Sequence, residues 1–454
     1  MRSHTHDLTE GNILQKLVAV ASPIMGMQFL QMAYNLTDMF FLGRIGRDAV
    51  AASGMAGMYL WLSVGLMVIG RLGAEIGVSQ NLGRGDAHAA RAYSHNALTL
   101  ALLFGVGYGL MLFLFRAPLV GVFGMRETEV IDATVVYLAV IAIGMPFAFL
   151  NAAISGTFNG AGNSRVPFVT NGVGFVLNIV LNPIFIFALD MGIRGAAWAT
   201  VVAQAIVLVL HLLAITVYAG RPFDAYQIFV RPSRKRMREI LRWGIPVSIE
   251  SLAFTMLSMV LSRFVAYYGA DAMAVKRIGI QLESFSWLIA GGFSSALTAF
   301  VGQNYGRGQF ARIHDGTRLG RNMMLAWGVI CTIIPWVFGR QMFALFLPDD
   351  AAVLDMGVTF MRILSVCQLF LCLEGWAVGV FRGMGKTLPP TICTVTGNTL
   401  RIPLSYVLSL MFGLPGLWWG MSLGACLRGI ALVTWNMIHA RTMPQEDKEP
   451  AVVS

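Results

Sequence analysis

Val78–Gly85 reads VSQNLGRG, and 223 positions later Val301–Gly308 reads VGQNYGRG. The same offset carries Pro23 onto Pro246, Phe158-x-Gly160-x-Gly162 onto Phe381-x-Gly383-x-Gly385, and Pro167 onto Pro390. One register held across so many positions reads as duplication. The chain is therefore expected to consist of two similar halves.

Composition says what the halves are made of. Of 454 residues, 56% are hydrophobic and only 12% are charged. Soluble domains carry about a quarter charged residues, so most of this chain avoids water. A membrane-spanning helix needs about 20 largely apolar residues. Such runs fall near 13–42, 50–80, 93–116, 131–156, 166–189, 195–219, 240–268, 273–302, 320–340, 355–381, 390–412 and 416–440. The sequence predicts an all-α integral membrane protein with twelve transmembrane helices. Six per half is even, so the two six-helix bundles share an orientation, related by a pseudo-two-fold axis along the membrane normal. The expected divisions are an N-terminal lobe 1–219, a basic cytoplasmic linker 220–239, a C-terminal lobe 240–441 and a cytoplasmic tail 442–454. Pro23, Pro183 and Pro246 lie inside spans, where each removes a backbone hydrogen bond and invites a bend.

The net charge is +10, and the basic residues lie in gaps between apolar runs. The sixth gap is densest, with Arg221, Arg231, Arg234, Lys235, Arg236, Arg238 and Arg242. The positive-inside rule then places both termini in the cytoplasm of a multi-pass inner (plasma) membrane protein. The basic charge thus reads as a topology signal, with the bilayer and not nucleic acid as the partner. The opening MRSHTHDLTEGNILQK is too polar for a cleavable signal peptide, so the first run is expected to stay as a span. The five cysteines sit in apolar context without C-x-x-C and read as small buried hydrophobes. The seven histidines show no metal-ligand spacing. No G-x-x-x-x-G-K-[ST] loop occurs, so a gradient and not ATP should drive any transport. An enzyme would want clustered His, Asp or Ser at one depth, and a channel a repeated polar stripe; the sequence has neither.

Ionisable residues within spans are costly and tend to face a cavity or a partner. Asp38 is the only acid in AYNLTDMFFLGR, Ala33–Arg44, with no charge between residues 17 and 33. Such an acid can load and release a proton, or ligate a monovalent cation beside neutral oxygens. It can equally be a structural acid that accepts hydrogen bonds from a neighbouring helix. Methionines crowd the first two spans, where unbranched thioethers suit a cavity that tolerates varied shapes. Arg71, Arg263, Arg362, Arg401 and Arg428 also lie within spans.

Asn35-x-x-Asp38-x-x-x-x-Gly43, the twin Q-N-x-G-R-G segments, FNGAGNSRVP and FRGMGKTLPP together resemble the multidrug and toxic compound extrusion (MATE) antiporters. The similarity runs over nearly the whole chain and is greatest to the DinF-type branch. The resemblance implies a secondary active antiporter, not an enzyme. It would export amphipathic, often cationic organic compounds in exchange for H+ or Na+ by alternating access of two lobes. It implies no cofactor beyond that ion, and no metal other than a sodium ion at Asp38. It further implies a cation site at Asp38 with Asn178, Asn182 and Thr200, and Tyr137 close by. Asn182 stands where the branch carries Asp, so two acids cannot share one proton as a coupled pair. Tyr34, Asn35, Tyr137, Glu250 and Glu283 are candidates for lining the substrate cavity or for coupling. Glu250 stands about a turn before Phe254, where the NorM-like branch is expected to carry its acid. A related fold performs a second function, flipping lipid-linked oligosaccharide or related precursors, which would call for a cationic cavity built from the arginines above. One chain holds both halves, so a monomer is expected.

Overall fold

The computed structural model describes residues 7–123, 127–224, 226, 231–344 and 351–444. Residues 225 and 227–230 of the expected linker, and the expected tail beyond residue 444, lie outside them. The described chain is helical: α1 Ile13–Ile45, α2 Arg47–Gly83, α3 Ala87–Gly121, α4 Thr128–Gly160, α5 Arg165–Pro183, α6 Gly192–Thr216, α7 Arg234–Ala266, α8 Ala270–Arg307, α9 Phe310–Ala344 and α10 Ala351–Gly383. The last helical stretch, Leu388–Thr442, has 55 residues. A straight helix of that length would run about 80 Å, against about 30 Å of hydrocarbon. It breaks at Gly413, whose φ of 63° and ψ of −143° suit glycine alone. Two spans result, α11 (388–412) and α12 (414–442). Each of the twelve apolar runs therefore corresponds to a helix. Large apolar side chains such as Leu103, Leu114, Leu410 and Met411 stand more than half exposed, which lipid tolerates and water does not.

Two compact units divide the chain. One holds residues 7–10 and Ala19–Ser248; the other holds Gly11–Val18 and residues from Ile249 onward. Helix α7 begins in the first and ends in the second. Within the first unit the segment before α7 and the start of α7 lie on α3. Tyr226 stacks on His95 at 4.2 Å, Trp243 stacks on Tyr93 at 5.8 Å, and the Ser233 N–H donates to Asn96 Oδ1 at 2.7 Å.

The duplication reappears as backbone geometry. In the first unit Gly156 and Gly160 press α4 onto α2. A Cβ on them would lie 2.1 Å from the Arg71 carbonyl oxygen and 2.5 Å from that of Glu75. In the second unit Gly379 and Gly383, 223 positions on, meet the carbonyl oxygens of Ser294 and Thr298 at 2.5 and 2.8 Å. Helices in lipid associate through such close packing, because apolar burial gives them little advantage over lipid tails. Gly156→Ala is accordingly expected to lower stability by about 1–3 kcal/mol. Denaturation of the purified protein would read this, and an unchanged midpoint would mean that α4 can withdraw from α2 without cost.

The Q-N-x-G-R-G segments have a backbone reason too. Gly85 and Gly308 end α2 and α8 with φ of 78° and 79°. The next N–H, of Asp86 or Gln309, returns to the carbonyl of Asn81 or Asn304 at 2.9 or 3.0 Å. The Asn81 and Asn304 amides donate one turn back, to Gly77 and Phe300, at 2.7 and 2.8 Å. Each segment is thus a glycine-closed helix end.

Helices α1 and α7 run on through Pro23 and Pro246. Pro183 instead closes α5, and the next turn, Ile184–Ala188, is π-helical, with the Leu189 N–H reaching Ile184 O at 2.9 Å. Proline supplies no N–H to continue the ladder, and the wider turn takes up the change of register.

Candidate functional site

In the first unit α1, α5 and α6 bring together one carboxylate and four neutral polar side chains. Tyr34 and Asp38 are four residues apart on α1, and Asn178 and Asn182 four apart on α5, so each pair shares a helix face. Asn182 Nδ2 donates to Asp38 Oδ1 and to Asn178 Oδ1, both at 2.9 Å. Asn178 Nδ2 donates to the Tyr34 hydroxyl at 3.1 Å and approaches Thr200 Oγ1 of α6 at 3.5 Å. Tyr34 donates to Thr200 Oγ1 at 2.9 Å. The bonds therefore point outward from Asn182, one way to Asp38 and the other through Asn178 and Tyr34 to Thr200. Both asparagines are fully buried. Asn182 Oδ1 has no hydrogen-bond partner among the described residues. Tyr137 of α4 is buried within electrostatic range of Asp38. Asn35 is not drawn in: it is exposed and accepts from Gln31 on its own helix at 3.4 Å.

Glu250 and Glu283 lie in the second unit with partners of their own. Thr391 Oγ1 donates to Glu250 Oε2 at 3.2 Å, with Arg382 3.8 Å away. Gln368 Nε2 donates to Glu283 Oε1 at 2.9 Å. A buried ion pair not anticipated from the sequence stands between α10 and α12: Arg428 Nε donates to Glu374 Oε2 at 2.8 Å, and its NH1 donates to Asn398 Oδ1 at 2.6 Å. No group of three or more His, Cys, Asp or Glu side chains able to hold a metal occurs among the described residues.

The MatE family profile matches this chain twice, over residues 23–184 and 246–407. The chain belongs to the MatE family. The two matches begin at Pro23 and Pro246 and stand 223 positions apart, the same offset that relates the packing glycines. It is a multi-pass membrane transporter and not an enzyme. Among curated proteins it is 30% identical to a probable multidrug resistance protein NorM of Thermotoga maritima, over 90% of this chain and 89% of that one. It is 25% identical to the multidrug export protein MepA of Staphylococcus saprophyticus, over 93% of each. A solved MATE structure in a bent conformation matches with a TM-score of 0.91 at 21% identity, over 97% of this chain and 98% of that one. A MOP superfamily transporter from Pyrococcus furiosus matches with a TM-score of 0.89 at 21% identity, over 97% and 98%. At that identity the likeness shows the fold.

Duplication gives this MatE transporter an internal control. Residues needed only to build a six-helix bundle should recur at the offset, as the glycines do. The polar cluster does not. At the offset, Tyr34, Asp38, Tyr137, Asn178 and Asn182 correspond to Leu257, Leu261, Phe360, Arg401 and Ser405 of the second copy. The fold is thus built once without Asp38 and its partners.

Proposed function

We propose that this transporter is a secondary active antiporter that exports amphipathic, often cationic organic compounds in exchange for H+ or Na+. Asp38 carries the coupling ion. The observation behind this is the hydrogen-bond chain that ends on Asp38 in one copy of the repeat only. Asn182 turns an N–H towards the carboxylate and leaves its Oδ1 without a partner. A proton added to Asp38 would find that oxygen as its acceptor, closing an acid–amide pair. A sodium ion would instead want oxygens around it, and the N–H of Asn182 stands against the carboxylate. The arrangement therefore favours the proton.

The chain ties α1 to α5 and α6, so a change of charge at Asp38 alters how those helices hold each other. A ligand shifts a conformational equilibrium only through its different affinity for the two states. Proton binding thus has to favour the state that releases substrate outward, and substrate the state that releases the proton inward. Pro23 and Pro183 are the hinges of this alternating access. Both termini face the cytoplasm of the inner membrane, and one chain is the working unit. The relatives named for multidrug export support the substrate class. The flippase reading draws on Arg71, Arg263, Arg362, Arg401 and Arg428 as a cationic cavity, and of these Arg428 is held by Glu374.

Everted membrane vesicles test the reading. Ethidium accumulation is expected under an imposed proton gradient and not under a sodium gradient alone. Accumulation under sodium alone would assign Asp38 to sodium, and none under either would sink dye export. Asn182→Leu keeps the volume and removes both donated bonds. Unsatisfied buried partners cost about 1–3 kcal/mol, so the initial rate is expected to fall about tenfold. A rate equal to wild type would separate the hydrogen-bond chain from coupling.

A further inference from the structure

The second unit contains a cavity of about 160 Å³ between α8, α9 and α10. Its walls are largely apolar, with Phe285, Ile330, Ile334 and Met361. Two unmet polar groups border it. Gln368 lines it and is 3% exposed; its Nε2 is engaged by Glu283, while its Oε1 has no partner among the described residues. Trp327 also lines it, with its indole Nε1 buried and likewise unpartnered. The two come from the same level of α9 and α10, where a Cβ on Gly328 would lie 2.9 Å from the Leu369 Cα. A buried acceptor and a buried donor bordering one space are both met by a single hydroxyl, which donates and accepts.

The repeat identifies what the space lacks. In the first unit, 223 positions earlier, Phe104, Tyr108, Met145 and Phe149 stand where Trp327, Cys331, Gln368 and Cys372 stand here. They belong to one apolar cluster. The Tyr108 ring lies 6.3 Å from that of Phe149, and its hydroxyl donates to the Tyr59 carbonyl oxygen at 2.6 Å. Helix packing is kept around them: a Cβ on Gly105 would lie 2.9 Å from the Pro146 Cα, as one on Gly328 would from the Leu369 Cα. Two aromatic rings have therefore given way to two thiols, of which Cys331, in the place of Tyr108, lines the cavity. The resulting volume is ring-sized: an apolar cavity of about 150 Å³ takes up benzene.

We propose that this cavity binds a single-ring phenol. The ring takes the place that Tyr108 fills in the other half, and the hydroxyl donates to Gln368 Oε1 and accepts from the Trp327 indole N–H. The site goes beyond the export reading, because binding there requires no transport. The test is ¹⁹F NMR of 4-fluorophenol with the full-length protein in phosphatidylcholine nanodiscs, against empty nanodiscs. Saturable binding is expected for wild type. Cys331→Tyr, which supplies the ring from the chain itself, is expected to abolish it. Gln368→Leu is expected to weaken it about tenfold while leaving 4-fluorotoluene binding unchanged. Should Cys331→Tyr fail to fold, Trp327→Phe keeps the apolar bulk, removes the N–H and is expected to weaken 4-fluorophenol several-fold. Uptake that merely follows the lipid content, or that Cys331→Tyr and Trp327→Phe leave unchanged, would overturn the proposal and leave the cavity to water or an acyl chain.

Discussion

Asp38→Asn is expected to reduce gradient-driven dye export to the level of vesicles without the transporter. The substitution is nearly isosteric, so packing of α1 against α5 should survive. What it removes is the only titratable carboxyl in the cluster. Asn182 Nδ2 can still donate to the new amide oxygen in place of Asp38 Oδ1, so the helices remain tied. Without a change of charge, nothing favours one state over the other when the gradient is applied. Substrate binding should persist, because the fold and the rest of the chain are intact. Dye binding to purified Asp38→Asn within about threefold of wild type, with no driven transport, separates coupling from recognition. Transport at the wild-type rate would show that Asp38 is structural and that the coupling group lies elsewhere.

Arg428→Met should have the largest effect on stability. Arg428 and Glu374 are 8% and 9% exposed, and their ion pair measures 2.8 Å. Removing one partner of a buried pair typically costs about 3–5 kcal/mol, because the other charge stays buried without compensation. Thr394 alone, at 3.4 Å, does not replace a guanidinium. Glu374→Gln combined with Arg428→Met removes the stranded charge and is expected to recover more than half of the loss. Unfolding of the purified protein in one detergent, for the single and double variants, gives the coupling directly. A loss below about 1 kcal/mol for Arg428→Met would mean that water reaches Glu374.

Two kinds of signal made the architecture legible in the sequence. Glycines at close helix contacts and at helix ends answer to backbone constraints, so they recur wherever the same backbone is built twice. Gly160 with Gly383 and Gly85 with Gly308 are of this kind. Asp38 stood out because a charge in an apolar run has no cheap explanation. Its grouping with Asn178, Asn182 and Thr200 came from the family resemblance, and the structure shows that these side chains meet. That they bind the coupling ion is what the proposed experiments decide. Tyr34 was a candidate for the substrate cavity or for coupling, and its hydroxyl sits within the hydrogen-bond chain itself. Asn35, one residue on, points off the shared face, as a rotation of about 100° per residue requires.

The pair Glu374–Arg428 was not legible, because its partners are far apart in sequence and nothing in either run says which charge meets which. Comparison at the offset would have flagged Glu374, which stands opposite Asn151 in the first copy. The cavity was invisible for another reason. A void is defined by side chains that are absent, and cysteine in an apolar run looks like ordinary filling. Only the first copy, with Tyr108 and Phe149 in place of Cys331 and Cys372, shows that rings are missing.

In the proposed cycle Asp38 gives up its proton when substrate binds. Linkage makes this measurable without membranes or gradients: if substrate disfavours the protonated state, adding substrate must release protons. Purified transporter in weakly buffered detergent would be titrated with ethidium while a pH dye follows free protons. Wild type is expected to release a proton per bound dye, up to about one, with a peak at one pH, and Asp38→Asn none at all. Equal release from both proteins, or dye binding without any release, would contradict the account.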